Sequence, residues 1–161
     1  MECCTLCPRQ CKANRSAGQK IYCQETAELQ VARAALHMWE EPCISGENGS
    51  GTVFFSGCSL GCVFCQNIEI SRGRNGLIIS VERLSEIFIE LQNKGANNIN
   101  LVTPSHFVPQ IIMALDLARE KGLNLPIVYN SSGYECVSTL MLLEGYVDVY
   151  LPDMKYFDGS I

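Results

Sequence analysis

Residues 52–65 read TVFFSGCSLGCVFC, a short apolar run followed at once by three cysteines in C-x3-C-x2-C spacing. The apolar run predicts a buried strand, so the cysteines lie in the loop at its carboxyl end. Cys58, Cys62 and Cys65 supply three thiolates, whereas a closed structural zinc site takes four ligands. Three thiolates leave one iron of a four-iron, four-sulfur (4Fe-4S) cluster open, which suits catalysis. We predict such a cluster here, with a three-cysteine zinc site or a disulfide pair as the alternatives.

Strand and helix patterns alternate after residue 52, which predicts parallel βα units. The predicted strands are 52–56, 98–103, 126–130 and 146–151, and the predicted helices are 81–94, 108–121 and 135–144. The fold class is therefore predicted to be α/β, a partial (β/α) TIM-like barrel of about four parallel strands. A whole barrel takes about 250 residues, and residues 156–161 contain neither a closing helix nor a fifth strand. We expect residues 52–161 to be the N-terminal part of such a barrel, which downstream sequence would complete.

A second group of cysteines lies in residues 1–24, which contain few large apolar side chains. Its members are Cys4, Cys7, Cys11 and Cys23. C-x2-C is the spacing at which neighbouring thiolates converge on one ion, and four thiolates make a closed site. Residues 1–24 are therefore predicted to be a cysteine-rich metal-binding segment that holds zinc or an iron–sulfur cluster. Reduced, unliganded cysteines are the alternative.

Residues 25–51 are predicted to be a helix over 25–39 followed by a Gly-rich linker. The helix prediction rests on apolar residues at three- or four-residue spacing, namely Leu29, Ala32, Leu36 and Trp39. His37 lies off this stripe and is predicted to be a surface or capping histidine. Residues 44–51, ISGENGSG, lead into a strand, so the strand–loop–helix order of a phosphate-binding loop is absent.

Composition excludes several partners. The 161 residues carry a net charge of −5 with only 12 Lys plus Arg, whereas nucleic-acid binding requires clustered cations. No apolar stretch reaches the roughly 18 residues that a membrane span needs. The N-terminus lacks the basic and apolar regions of a secretory signal, so the ten cysteines are expected in a reducing cytoplasm.

The cysteine motif has Phe64 directly before its last cysteine, and it resembles the C-x3-C-x-aromatic-C motif of the radical S-adenosylmethionine (SAM) superfamily. The resemblance implies an oxidoreductase in which SAM chelates the open iron through its amino and carboxylate groups. An electron from an external donor then cleaves SAM, and the 5′-deoxyadenosyl radical abstracts hydrogen from a substrate. Phe64 is implied to lie beside the adenine.

Two further stretches resemble the activating enzymes of glycyl radical enzymes. Residues 153–155, Asp-Met-Lys, match the D-x-K that these activases carry after strand four, and Asn130 replaces the aspartate of their D-x-N-G. The N-terminal C-x2-C-P-R-x-C stretch and the Glu-Glu-Pro-x-Ile-Ser-Gly stretch resemble the subgroup related to pyruvate formate-lyase activating enzyme. This implies a glycyl radical enzyme as protein substrate. The alternatives are another small-molecule or protein substrate, or a non-catalytic metal-binding fragment.

Polar side chains at the strand exits are predicted to bind SAM, because ligands of parallel sheets lie at the carboxyl ends of the strands. Many relatives have a Gly-Gly-Glu stretch after strand two, and this chain has hydroxyls and an imidazole there. The predicted SAM-binding residues are Phe64, Thr103, Ser105, His106, Asn130, Ser131, Asp153 and Lys155. The alternatives are helix capping by Ser105 and a surface ion pair between Asp153 and Lys155. No catalytic residue is assigned.

Overall fold

A computed structural model describes residues 1–72 and 75–155. The strands are β1 (Leu29–His37), β2 (Ser50–Phe55), β3 (Leu77–Ile79), β4 (Ile99–Val102), β5 (Ile127–Ser131) and β6 (Val149–Pro152). The helices are α1 (Pro42–Ser45), α2 (Ile68–Ser71), α3 (Val81–Asn93), α4 (Val108–Glu120) and α5 (Val137–Met141), preceded by a 3₁₀ turn at Arg15–Ala17. Residues 156–161, predicted to hold neither helix nor strand, lie outside the described residues. No described helix is long and apolar enough to cross a membrane.

The strands form one sheet in the order β3-β1-β2-β4-β5-β6. β2, β4, β5 and β6 are mutually parallel neighbours, which confirms the predicted α/β alternation. Over the described residues the sheet is open, with β3 and β6 at its edges, and this arrangement is consistent with a partial (β/α) barrel. One face packs against α3 and α4 through side chains that are fully or nearly fully buried, including Leu84, Phe88, Leu91, Ile111 and Leu115.

The predicted helix at 25–39 is wrong: residues Leu29–His37 form β1, which pairs antiparallel with β2 and β3. Val31 pairs with Phe55 but Arg33 pairs with Phe54, so Ala32 is the extra residue of a β-bulge. Leu29 and Val31 are buried before the bulge. The bulge then breaks the strict two-residue alternation that marks a strand in a sequence. Pairing on both edges outweighs the helix preference of the alanines.

Two consequences follow for the residues after β1. Trp39, predicted to pack in a buried helical stripe, is 88% exposed. The stretch predicted as a linker is partly regular structure, because Ile44 and Ser45 belong to α1 and Ser50 begins β2. Residues 38–41 leave β1 at the edge of the sheet where β2 begins, opposite the edge at which β2 delivers the cysteine loop, because His37 pairs with Ser50.

The N-terminal segment packs against the sheet through a buried arginine. The side chain of Arg15 is 1% exposed, and its Nε donates to the carbonyl of Thr26 at 3.0 Å while its Nη1 donates to that of His106 at 2.5 Å. The hydroxyl of Thr139 donates to the carbonyl of Leu6 at 2.8 Å. These bonds fix the cysteine-rich segment beside the exits of β4 and β5.

Candidate cofactor site

A cavity of about 650 Å³ lies at the carboxyl edge of the parallel strands. Pockets for small molecules and cofactors span about 300–1,000 Å³, so its size suits one. Eight residues that the sequence predicts as cluster or SAM ligands line it together: Cys58, Cys62, Phe64, Cys65, Thr103, Asn130, Asp153 and Lys155. They come from the cysteine loop and from the exits of β4, β5 and β6. The parallel register brings residues distant in the sequence to one edge.

The cysteine loop places its three cysteines on the wall of this cavity and contains two glycines in a left-handed conformation. Gly57 and Gly61 have φ values of 80° and 69°, in the left-handed region that favours glycine. The Ser71 hydroxyl donates to the Cys65 thiol at 3.4 Å. Within residues 1–72 and 75–155 no three Cys, His, Asp or Glu side chains converge closely enough to hold a metal ion. The donor set on the cavity wall thus fits a three-thiolate cluster in its chemistry, and coordination requires the thiols to turn toward a common centre.

Asp153 and Lys155 form an ion pair on the cavity wall, with 2.5 Å between Nζ and Oδ2. The hydrogen bond from Lys155 to Asp153 is the main cause of a raised Lys155 pKa, and nearby Cys62 and Cys65 raise it further. The pair was predicted either to bind the cofactor or to be a surface pair. The structure places it in the cavity, near the cluster thiols.

The N-terminal segment contacts the cysteine loop through Arg9 and Cys23. Arg9 donates from Nε to the carbonyl of Ser59 at 3.2 Å and from Nη2 to that of Leu60 at 3.4 Å. The guanidinium lies 3.6 Å from the centre of the Tyr22 ring. A Cβ on Gly57 would lie 2.5 Å from the carbonyl oxygen of Cys23, so only glycine fits there. The loop and the segment are in direct contact.

Three predicted SAM ligands do not line the cavity, namely Ser105, His106 and Ser131. Ser105 donates to Glu135 at 2.6 Å instead of capping a helix. Burial lowers the pKa of His106 to about 4, so its ring is neutral and Nε2 donates to the carbonyl of Ser56 at 2.7 Å. The Ser131 hydroxyl accepts from the amide of Gly133 at 3.2 Å. Their observed contacts support the strand exits, and their cofactor contacts remain predictions.

Three cavity residues that were not predicted as site residues lie in or just after β1: His37, Trp39 and Glu40. His37 was predicted to be a surface or capping histidine. His37 is half-buried and meets the Phe54 ring edge-on, with 6.1 Å between the ring centres. Burial is the main cause of a raised Glu40 pKa. The helix prediction hid these residues, because it did not place this segment in the sheet beside β2, where its end meets the cavity. The one feature of the sequence that pointed to Glu40 was the Glu-Glu-Pro stretch, which was used only for the family resemblance.

The four N-terminal cysteines lie near one another. Cys4, Cys7 and Cys23 are buried and Cys11 is half-buried. Burial is the main cause of a raised Cys7 pKa, and Cys4, Cys23 and Cys11 each raise it further. The structure therefore groups the four predicted thiols without the convergence of a formed metal site.

Comparison with known proteins agrees with this geometry. The chain is 31% identical over 160 residues to the uncharacterized protein MJ0674 of Methanocaldococcus jannaschii; the match covers 95% of this chain and 45% of that relative, so the chain spans less than half of its length. No solved structure matches the chain. The model of the radical SAM superfamily matches residues 52–158, which include the cysteine loop and all four parallel strands. The chain thus belongs to the radical SAM superfamily.

Proposed function

We propose that this chain binds a 4Fe-4S cluster through Cys58, Cys62 and Cys65 and binds SAM in the adjoining cavity, as a radical SAM oxidoreductase or part of one. The observation that carries the proposal is the cavity itself, because it joins the three thiols to the exits of three parallel strands. When bound, the cluster and SAM supply an electron and a 5′-deoxyadenosyl radical. An external donor provides the electron.

The cavity residues divide into an aromatic and a polar group. Phe64 is 57% exposed beside the thiols, so its ring is available to stack on the adenine. Thr103 and Asn130 offer a hydroxyl and an amide to the methionine end of SAM, which carries both a carboxylate and an amino group. The Asp153–Lys155 pair offers one charge of each sign. These side chains would bind and orient SAM against the cluster.

Activation of a glycyl radical enzyme is the finer proposal. It is supported by the D-x-K match, since Asp153 and Lys155 both line the cavity. Asn130 also lines it, in the place of the activase aspartate. A different small-molecule or protein substrate is the alternative, and formation of a glycyl radical on a candidate protein, seen by electron paramagnetic resonance, discriminates between them.

A second metal at Cys4, Cys7, Cys11 and Cys23 is also part of the proposal. Its support is the grouping of the four thiols beside the cysteine loop. The test is metal analysis of a variant that lacks the three loop cysteines. Zinc, or iron with sulfide, retained by this variant and lost on further Cys7→Ser substitution supports the site; a folded, metal-free variant contradicts it.

The main proposal is tested by anaerobic reconstitution with iron and sulfide. The wild-type chain should become brown and bind SAM, and Cys58→Ala, Cys62→Ala or Cys65→Ala should each abolish the SAM-dependent change in the cluster's electron paramagnetic resonance spectrum. Cys43→Ala is the matched control, because Cys43 is exposed and does not line the cavity. Iron and sulfide contents that the triple substitution leaves unchanged from those of the wild type would refute the assignment, whereas a reduced content that remains belongs to the N-terminal cysteines.

Formation of 5′-deoxyadenosine by the reduced chain separates an enzyme from a non-catalytic metal-binding fragment. Cleavage that depends on the three cysteines supports the enzyme. A chain that assembles the cluster and binds SAM without cleaving it supports the alternative, a non-catalytic metal-binding fragment.

A further inference from the structure

Ser71 places a hydroxyl beside one of the three loop cysteines. It is the last residue of α2, the short helix that follows the cysteine loop, and its Oγ donates to Sγ of Cys65 at 3.4 Å. Ser71 is only 7% exposed, and both residues line the cavity. The amide of Gly57 donates to the carbonyl of Ile70 at 3.1 Å, which joins the end of α2 to the start of the loop. The hydroxyl is therefore held next to the sulfur by the packing of α2.

Arg72 places a positive charge against the same loop. A Cβ added to Gly61 would overlap the Arg72 guanidinium, so the charge lies over the residue that directly precedes Cys62. Arg72 is half-buried, and its Nη1 donates to the carbonyl of Tyr22 at 3.0 Å. The loop glycine on one side and this carbonyl on the other fix the position of the cation.

Arg72 forms no ion pair with a carboxylate in the part of the chain that the structure describes. The ion pairs there belong to Arg83 and Lys155. Glu69, on the same short helix, accepts from Nδ2 of Asn75 at 3.3 Å. A half-buried cation is normally balanced by an anion nearby, and the three thiolates of a bound cluster would bring negative charge to the loop that Arg72 covers.

A hydroxyl on a ligating sulfur and a cation beside the loop act in the same direction. One electron passes from the external donor to the cluster, with no bond broken and no proton transferred, and it adds negative charge beside three thiolates. A hydrogen bond to a ligand sulfur and a nearby positive charge both stabilise this added charge, and the potential of an iron–sulfur centre depends on both. Partial burial keeps water from screening the charge fully.

We propose that Ser71 and Arg72 raise the reduction potential of the cluster, Ser71 through its hydrogen bond to the sulfur of Cys65 and Arg72 through its unpaired charge. The inference rests on the proposed function, because it needs a cluster on Cys58, Cys62 and Cys65. Neither residue binds SAM or substrate in this proposal. Both act through the protein surroundings of the cluster.

The test is a redox titration of the reconstituted full chain with dithionite and mediators, without SAM, followed by electron paramagnetic resonance. The signal followed is the one that Cys58→Ala abolishes, so that iron at the N-terminal cysteines does not contribute. Arg72→Gln should lower the ratio of reduced to oxidised cluster at a fixed potential about tenfold, which is about 59 mV for one electron. Ser71→Ala should lower this ratio about threefold to tenfold.

Conservative variants separate these effects from a loss of structure. Arg72→Lys keeps the charge and Ser71→Thr keeps the hydroxyl, so each should return the potential most of the way to that of the wild type. Arg83→Gln is the matched control for loss of a positive charge, because Arg83 is an exposed arginine on α3 that pairs with Glu86 and Glu90. It should leave the potential unchanged.

A wild-type potential in Ser71→Ala or in Arg72→Gln overturns the role of that residue. Equal shifts in Arg72→Lys and Arg72→Gln also overturn the role of Arg72, because the charge is then not what matters. If Arg72→Gln assembles no cluster, Arg72→Met replaces it, since methionine keeps an aliphatic contact with Gly61. If both neutral variants lack a cluster, Arg72→Lys at the wild-type potential supports the role of the charge, and Arg72→Lys without a cluster overturns it. A wild-type chain that assembles no cluster refutes the proposed function instead, whereas the inference alone fails when the cluster is present and its potential does not respond.

Discussion

Replacing Arg9 with alanine should loosen the cysteine loop from the N-terminal segment. The guanidinium makes two hydrogen bonds to loop carbonyls, at 3.2 Å and 3.4 Å, and stacks on Tyr22 at 3.6 Å. Hydrogen bonds from a charged donor contribute about 1.5–3 kcal/mol when well formed, and we take about 1 kcal/mol for the two together because both are long and partly exposed. The stacking adds about 0.5–1 kcal/mol. The expected loss is therefore about 2 kcal/mol.

A loss of this size makes the open form of the loop about 30-fold more populated. The assay is the rate at which the reconstituted cluster bleaches in air, followed by its absorbance, beside urea unfolding of the metal-free chain. Arg9→Ala should bleach many-fold faster than wild type. Arg9→Lys should lie between the two, since lysine keeps the charge but cannot bridge two carbonyls with a planar fork.

The control is Arg83→Ala, which removes an exposed arginine whose ion-pair partners within the described part of the chain are Glu86 and Glu90 on the same helix. Surface pairs of this kind contribute little, so bleaching should match wild type. Equal bleaching rates and unfolding midpoints for Arg9→Ala, Arg83→Ala and wild type would show that the N-terminal segment does not hold the loop.

Gly57→Ala should destabilise the metal-free chain by about 2–3 kcal/mol, because the new side chain is strained in a left-handed conformation and its Cβ collides with the carbonyl oxygen of Cys23. Gly95→Ala is the control for the strain alone, since Gly95 has a φ of +85° and no atom lies within 4 Å of the added Cβ. Equal urea midpoints for the two variants would show that the collision with Cys23 contributes nothing. The pKa of His106 falls from 6.5 in the unfolded chain to about 4 in the native one, so only the unfolded state takes up the proton between these values. Stability is then fully present above pH 6.5 and falls by about 3 kcal/mol as the pH approaches 4, and His106→Gln should flatten this part of the urea midpoint profile. Trp39 is the single tryptophan and lines the cavity, so SAM binding should change its emission; an unchanged spectrum on saturation would place SAM elsewhere.

Helix α3 shows what local sequence signals can predict. The predicted range of 81–94 compares with Val81–Asn93 in the structure, because the Ser80 hydroxyl accepts from the amide of Arg83 as an N-cap and apolar residues follow at helical spacing. β4 and β5 could be predicted equally well, since each is a short apolar run between helices. A helix or strand whose pattern of residues is contained within its own sequence can therefore be predicted without knowledge of the rest of the fold.

β1 shows why other parts of the fold could not be predicted. Its bulge at Ala32 shifts the alternation, and its pairing partners lie in β2 and β3, far along the sequence. β3 spans only Leu77–Ile79, too short for a periodic signal. The site has the same dependence on long-range pairing. The cysteines could be predicted from their spacing, whereas Glu40 could be recognised as a cavity residue only once β1 was known to be a strand. Its hydrogen-bond partners Asn100 and Asn130 come from other strands.

The surroundings of the cysteine loop explain why its order depends on the N-terminal segment. Val63 is 99% exposed and Phe64 57% exposed, so the loop has little apolar burial of its own to hold it. What holds it comes from residues 9–25: the donors of Arg9, the close approach of Cys23 to Gly57, and the carbonyl of Tyr22, which accepts from Arg72 at 3.0 Å. That segment is itself poor in apolar side chains and rich in thiols. A metal bound there would order the segment, and through these contacts it would also order the loop that we propose binds the cluster.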